Sequence, residues 1–319
     1  MPDLLCTGEA LIDFLTDRPG VSLTEARAFT WAAGGAPANV AVAAARLGVD
    51  TAFMGKVGKD PFGAHIRETL AASSVDVSHL LATGKARTSL AFVALPTPDD
   101  PQFTFFRHPS ADMLFRPDDL DADFVRSAQF LHFGSIALIA DPCRSTNLTA
   151  AEMVRAAGGF VSFDPNYRPA LWPAATARER ILATLPLCDV VKLNEAEVRL
   201  LTGKDDLVDG AEELLQLGPK VCLVTVGAEG SFYVTPRSNG HVPAYSVRTV
   251  DATGCGDGFT AAALKGIMAL GDPALLGPLD LEEILRYANA VGALTATKKG
   301  GIPALPTAAQ VDVFLEEFA

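Results

Sequence analysis

The hydrophobic pattern changes period several times along the chain, and each change predicts an element. LLCTGEALIDFL reads as a buried strand that ends at a polar cluster, Glu9 and Asp13, before the irregular DRPG segment. From Trp31 the run AAGGAPANVAVAAARLG takes helical spacing, with Gly34 and Gly35 in the turn, Pro37 in the first helical turn and Gly48 as a stop. Residues 38–45 are small enough to let that helix pack closely on a sheet. TAFMGKVGKDPFG is strand-like and then turns, and HIRETLAASSV is a short amphipathic helix, which makes a βαβ rhythm. Residues 88–96 and 102–109, joined by TPDD, predict an antiparallel hairpin instead. A hairpin inside an α/β chain suggests a lid over a crevice, or a sheet extension or dimer contact. From Ala128 the alternation resumes, with strands near FLHFGSIAL, GFVSFDP, CDVVKLN and VCLVTVG separated by helical stretches such as CRSTNLTAAEMVRAA and GAEELLQL. Parallel strands with crossover helices follow.

Composition narrows this. A chain of 319 residues suffices for one large α/β domain with an appendage, and no linker divides it into halves. Hydrophobic residues make up 49% and charged residues 20%, and no apolar run approaches the roughly 20 residues that cross a bilayer. Asp3 stands where a signal peptide wants basic residues, so a cytoplasmic location is expected. The net charge of −12 would repel nucleic acid and anionic membranes, and a phosphorylated substrate would need local Mg²⁺ or basic side chains. Cys6, Cys143, Cys188, Cys222 and Cys255 form no CxxC pair, which argues against structural zinc and a disulfide framework.

The densest chemistry lies in residues 250–264, VDATGCGDGFTAAAL. Gly254, Gly256 and Gly258 crowd ahead of an alanine run, so a tight turn should open into a helix whose first N–H groups lack partners and suit an anion. Asp257 beside those amides makes sense as a proton acceptor, which suggests phosphoryl transfer to a hydroxyl; a helix cap with Asp257 as capping residue reads equally well locally. Neither a P-loop nor a GxGxxG fingerprint is present. Sites in open parallel sheets gather at the carboxyl ends of strands, where Asn166 and Arg168, Asn194 and Glu197, and Thr225 and Gly227 recur. The glycine pair 34 and 35 admits a ligand near the backbone, and Asn39 can hydrogen-bond a hydroxyl. Asn194 and Glu197 could hold hydrated Mg²⁺ or form a capping pair.

The 251–257 segment resembles the DTxGAGD signature of the ribokinase-like (pfkB) carbohydrate kinases, with Cys255 in place of the usual alanine. GGAPANVAVAAARLG, the NxxE of Asn194 and Glu197, VTVGAEG and YANAVGALT are similar to further family segments, so the resemblance covers nearly the whole chain. Within the family RHPSADMLF, FGSIALIADPCRS and FDPNYRPALWP look like fructokinase runs, although His108 stands where an asparagine is common. The resemblance implies one ribokinase-like three-layer α/β domain over residues 1–319, with a mostly parallel sheet and a small β lid from segments near 9–32 and 86–110. It implies ATP-dependent phosphorylation of D-fructose with Asp257 as base and the amides of Gly254, Cys255, Gly256 and Asp257 as anion hole. By the same resemblance Asp13, Gly35, Asn39, Arg107 and Asn166 meet the sugar, with Gly34 and Arg168 beside them. Thr225, Gly227, Gly230 and Asn289 line the ATP side with Asn194. Mg²⁺ belongs near Asn194 and Glu197, K⁺ near Asp251 and Thr253, and a homodimer is expected. The competing readings are another family member, a 2-keto-3-deoxygluconate kinase or ribokinase, and a sensor that keeps the fold without turnover.

Overall fold

Strands whose side chains are buried on both faces need cover on both, and the chain supplies it. The computed structural model describes residues 1–18, 20–97 and 100–318. Its strands are β1 (Leu4–Thr7), β2 (Leu11–Thr16), β3 (Phe29–Gly34), β4 (Thr51–Gly58), β5 (Leu80–Thr83), β6 (Ser89–Thr97), β7 (Asp100–Phe106), β8 (Phe130–Gly134), β9 (Phe160–Asp164), β10 (Val190–Asn194), β11 (Val221–Thr225), β12 (Ser231–Val234) and β13 (Asn239–Val242). Nine of them form one sheet in the order β13-β12-β11-β10-β9-β8-β1-β4-β5. It is parallel from β5 to β11 and antiparallel at β12 and β13.

Alternate residues face opposite layers. Leu4, Cys6, Phe53, Phe130 and Leu223 join a core with the helices Ala36–Arg46, Cys255–Leu270 and Pro278–Ala296. Leu5, Met54, Phe133, Phe163 and Val224 join a second core with the helices Cys143–Ala156, Ala174–Thr184 and Leu207–Leu215. This is the three-layer α/β arrangement that the resemblance implied. On the first face small residues bring helices close. A Cβ on Gly266 would lie 2.7 Å from Ile284 Cγ1, so only glycine fits between the helices Cys255–Leu270 and Pro278–Ala296.

A second sheet, β3-β2-β6-β7, pairs β2 with β6 in parallel and carries the predicted hairpin, β6 with β7. One expectation fails nearby and another shifts. LLCTGEALIDFL is two strands in two sheets rather than one, because Gly8 at φ 139 turns the chain out of the large sheet. The helical spacing read from Trp31 gives a helix only from Ala36, after the Gly34–Gly35 turn, because Phe29–Gly34 is extended and pairs with β2 from Thr16↔Phe29 to Leu11↔Gly34. The helix expected at HIRETLAASSV starts earlier, at Pro61, where Asp60 caps it by accepting Gly63 N–H at 2.9 Å. Pro19 of the DRPG segment and Pro98 and Asp99 of the TPDD turn lie outside the described residues.

Candidate active site

The helix Cys255–Leu270 begins at Gly254, whose φ of 83 turns the chain left-handed into the first turn. A Cβ there would lie 3.1 Å from Gly301 Cα, so both conformation and space call for glycine. The first intrahelical bond is Gly258 N–H to Gly254 O at 2.8 Å, which leaves the Gly256 and Asp257 amides at the open end of the helix. Cys255 N–H closes a turn onto Ala252 O at 3.2 Å and is the exception to the expected row of anion donors.

Asp257, in that first turn, is 8% exposed and accepts a 2.7 Å hydrogen bond from Asn39 Nδ2. Burial pushes its carboxyl from 3.8 up to about 6; the Asn39 bond, Lys192 and Arg168 pull it down, while Asp164 pushes up. It is a carboxylate at neutral pH, yet a basic one. Asn39 is brought to it by the helix Ala36–Arg46, and Asn39 Oδ1 is buried with no hydrogen-bond partner among the described residues. Asp13 projects from β2 toward the same place. Burial pushes it to about 7, the Asp257 charge adds to the rise and Arg168 opposes it. A Cβ on Gly34 would overlap the Asp13 carboxylate, and one on Gly35, at φ 102, would lie 2.6 Å from Glu9 O. Gly34 therefore makes the space into which Asp13 fits, and Gly35 lets the chain pass the Glu9 backbone.

Arg168 follows Asn166, whose φ of 42 lets the loop after β9 turn back; Asp164 Oδ1 accepts Asn166 N–H at 3.0 Å. The Arg168 guanidinium lies 5.6 Å from the Phe103 ring centre, so it bridges the large sheet and the small one. Asn194 and Glu197 form a complete capping box: Glu197 N–H donates to Asn194 Oδ1 at 2.9 Å, and Asn194 N–H to Glu197 Oε2 at 2.8 Å. Glu197 Oε1 accepts Tyr167 N–H at 2.8 Å. With both carboxylate oxygens already on backbone amides, this pair fits metal held through water better than direct ligation. Asp251 Oδ1 accepts Thr253 N–H at 2.9 Å and Oδ2 accepts Gly300 N–H at 2.8 Å. Among the described residues it forms no ion pair although it is 5% exposed, which suits a neighbouring cation. On the β11 side, Gly227 at φ 58 and Gly230 at φ 107 shape the turn after Thr225, and a Cβ on Gly230 would overlap Val242 O.

A buried carboxylate at the open end of a helix, beside a second carboxylate and an arginine, is equipped to deprotonate a hydroxyl facing an anion. The family model of pfkB family carbohydrate kinases matches residues 1–308. The chain belongs to this family. It is a carbohydrate kinase, and the proteins it is similar to include fructokinases. Fructokinase-1 of Oryza sativa subsp. japonica is 46% identical over 312 residues, covering 97% of this chain and 96% of that one. A crystal structure of a Xylella fastidiosa fructokinase with bound ATP superposes with TM-score 0.90 at 35% identity, covering 100% of this chain and 99% of that one. A double-mutant fructokinase from Vibrio cholerae O395 with fructose, ADP and potassium ion matches with TM-score 0.88 at 35% identity over 99% and 98%.

Two expected site residues of this pfkB kinase have their polar atoms engaged within the protein. Arg107, expected at the sugar, is 3% exposed and spent on Asp112 Oδ2 at 2.7 Å and Ile136 O at 3.4 Å. Its charge also faces Glu9, which holds Ala36 N–H at 3.2 Å, so it braces the turn before the helix Ala36–Arg46. Asn289, expected toward ATP, uses both amide hydrogens on Val242 O and Pro243 O and accepts Ser231 Oγ–H at 3.0 Å. It clamps the chain after β13. The Cys255 thiol is pushed up to about 12 by burial and by Asp251 and Asp257. Three residues escaped sequence reasoning: Lys192, Asp164 and His132, each a polar interruption of an apolar strand and each buried. Lys192 Nζ bonds Asp164 Oδ2 at 3.1 Å, and His132 Nδ1 lies 3.0 Å from Ser162 Oγ.

Proposed function

We propose that the chain transfers the γ-phosphoryl group of ATP to the primary hydroxyl of D-fructose, forming fructose 6-phosphate, with Asp257 as general base. The observation that carries this is Asp257 itself: buried, pushed up to about 6, and held at 2.7 Å by Asn39 beside unpaired helix amides. The sugar hydroxyls are assigned to Asp13 as acceptor, to Arg168 and Asn166 as donors, and to the orphaned Asn39 Oδ1, with Gly34 and Gly35 making room. Arg107 supports this pocket from behind, and Asn289 does the same for the nucleotide turn of Thr225, Gly227 and Gly230.

As the sugar oxygen approaches the γ-phosphorus, Asp257 takes its proton. Charge on the transferring group is met by the amides of Gly256 and Asp257, with Gly254 and Cys255 shaping the turn. Mg²⁺ bound to the phosphates would neutralise charge there, held through water at Asn194 and Glu197. K⁺ beside Asp251 and Thr253 would balance the buried Asp251 charge and stiffen the loop. The small sheet is assigned as a lid, through the Arg168–Phe103 contact, and its exposed Phe106 as part of a homodimer face. Among the described residues no helix is long and apolar enough to cross a membrane; a cytoplasmic site of action is part of the proposal.

A coupled ADP-release screen over fructose, ribose, glucose, 2-keto-3-deoxygluconate and adenosine tests the assignment. Fructose should give the largest kcat/KM; a clearly larger value for another sugar would overturn the substrate, and nucleotide binding without ADP release would favour the sensor.

A further inference from the structure

We propose that Lys192 is a catalytic residue of the phosphoryl transfer, its ammonium donating to the phosphoryl group that the Gly256 and Asp257 amides hold. This rests on the kinase assignment above and adds to it a cation, and a reason for one of its glycines. Lys192 interrupts the apolar strand VVKLN and is 6% exposed. Its position on β10, next to β9 with Asp164, turns it toward the face that carries the helix Cys255–Leu270 rather than the face of Val191 and Leu193. Nζ lies 2.9 Å from where a Cβ on Gly256 would be. A methyl at 256 would make the flexible end of Lys192 give way, so Gly256 leaves room for the ammonium beside the helix end.

Charge decides what the ammonium is for. Asp13, Asp164, Glu197, Asp251 and Asp257 crowd this end of the molecule, with Lys192 and Arg168 as the cations that act on the Asp257 carboxyl. Arg168 leans to the sugar side and to Phe103. Lys192 is left beside the amides where phosphate arrives, and its field reaches both Glu197 and Asp257. An ammonium has three donors; the described side chains take one, at Asp164 Oδ2. Asp164 is itself fixed through Asn166 N–H, so the remaining donors are held in place before substrate binds. Preorganised donors of this kind are the ones that lower a barrier. In the step, the sugar oxygen forms a bond to the γ-phosphorus and its proton goes to Asp257. The bond from that phosphorus to the bridging oxygen breaks, and its electron pair stays on the β-phosphate of ADP. Lys192 donates hydrogen bonds throughout and transfers no proton.

The test separates a phosphate donor from a buried counter-ion. Lys192→Met should lower kcat by about 10²–10³, the usual cost of one preorganised donor, with the fructose dissociation constant within about 3-fold of wild type by calorimetry. Because Lys192 also holds the Asp257 carboxyl down, the acid limb of the kcat profile should move to higher pH. Lys192→Met alone strands the Asp164 charge and can misfold, so the double variant Lys192→Met/Asp164→Asn, which removes both charges and keeps the Asn166 acceptor, is measured beside it. The double variant should fold and stay as slow as the single one. Recovery of kcat in the double variant, or near-normal kcat in the single one, would show Lys192 to be only a partner for Asp164 and overturn the proposal. A wild-type enzyme that releases no ADP with any sugar would instead remove the kinase assignment, a result distinct from either.

Discussion

Asn39→Leu should move the acid limb of activity without changing the alkaline plateau by the same factor. Asn39 gives Asp257 one hydrogen bond, Nδ2 to Oδ2 at 2.7 Å, and its Oδ1 has no partner among the described residues. Leucine nearly matches its shape, so the main change within the protein is the removal of that bond. A hydrogen bond to a charged group contributes about 1.5–3 kcal/mol, which corresponds to roughly 1–2 pH units. The bond favours the charged form, so removing it raises the Asp257 carboxyl further above its present value of about 6. For a rise of about 1.5 units, the ionised fraction would fall roughly 16-fold at pH 6, about 4-fold at pH 7 and hardly at all near pH 9. The assay is kcat by coupled ADP release at saturating fructose and MgATP from pH 5.5 to 9. Loss of the sugar contact assigned to Asn39 Oδ1 lowers the whole profile but by itself leaves the midpoint alone, so the midpoint reports on the bond to Asp257. A midpoint that stays with the wild type would refute the claim that Asn39 sets the basicity of Asp257.

Stability should run against activity at the same carboxyl. Asp257 has its folded value raised from 3.8 to about 6, so folding carries a cost of about 3 kcal/mol above pH 6 that disappears once both states are protonated below about 4. Asp257→Asn should therefore raise Tm by several degrees at pH 8, with the difference shrinking between pH 6.5 and 4.5; a pH-independent difference would place the effect elsewhere. Gly34→Ala would drive a methyl into the Asp13 carboxylate and should raise the fructose KM by about 10–100-fold, the equivalent of one or two hydrogen bonds to a charge, with the ATP KM nearly unchanged. Equal changes in both constants would count against Asp13 as a sugar residue. Cys255→Ala should be nearly neutral in kcat, and at pH 7 a small alkylating agent should act slowly, since the thiol is pushed up to about 12. Rapid inactivation that MgATP blocks and Cys255→Ala abolishes would contradict that environment.

What the sequence could show depended on whether a feature was local. The glycine-aspartate turn at 254–258 and the Asn194–Glu197 box are made by residues a few positions apart, and both formed. The strands from β8 to β11 were legible because burial on both faces leaves continuous apolar runs. The split of LLCTGEALIDFL was hidden because Gly8 lies inside one such run, and only pairing with β6 and β3 assigns the second half to another sheet. The internal partners of Arg107 and Asn289, namely Asp112, Ile136, Val242 and Ser231, were hidden for a related reason: packing brings them together and leaves no pattern near either residue. Lys192, Asp164 and His132 did leave a trace, a polar residue in each of three neighbouring apolar strands, which period-2 alternation puts on one face.

The central claim is that Asp257 removes the proton from the hydroxyl being phosphorylated, and kcat of Asp257→Asn measured together with fructose affinity tests it most directly. Asparagine keeps an acceptor for Asn39 and keeps the helix start, but cannot take a proton. The variant should bind fructose within a few-fold of wild type while kcat falls by about 10²–10⁴, the contribution of a positioned general base. Near-normal turnover with intact fructose binding would make Asp257 a helix cap and assign the proton to another group.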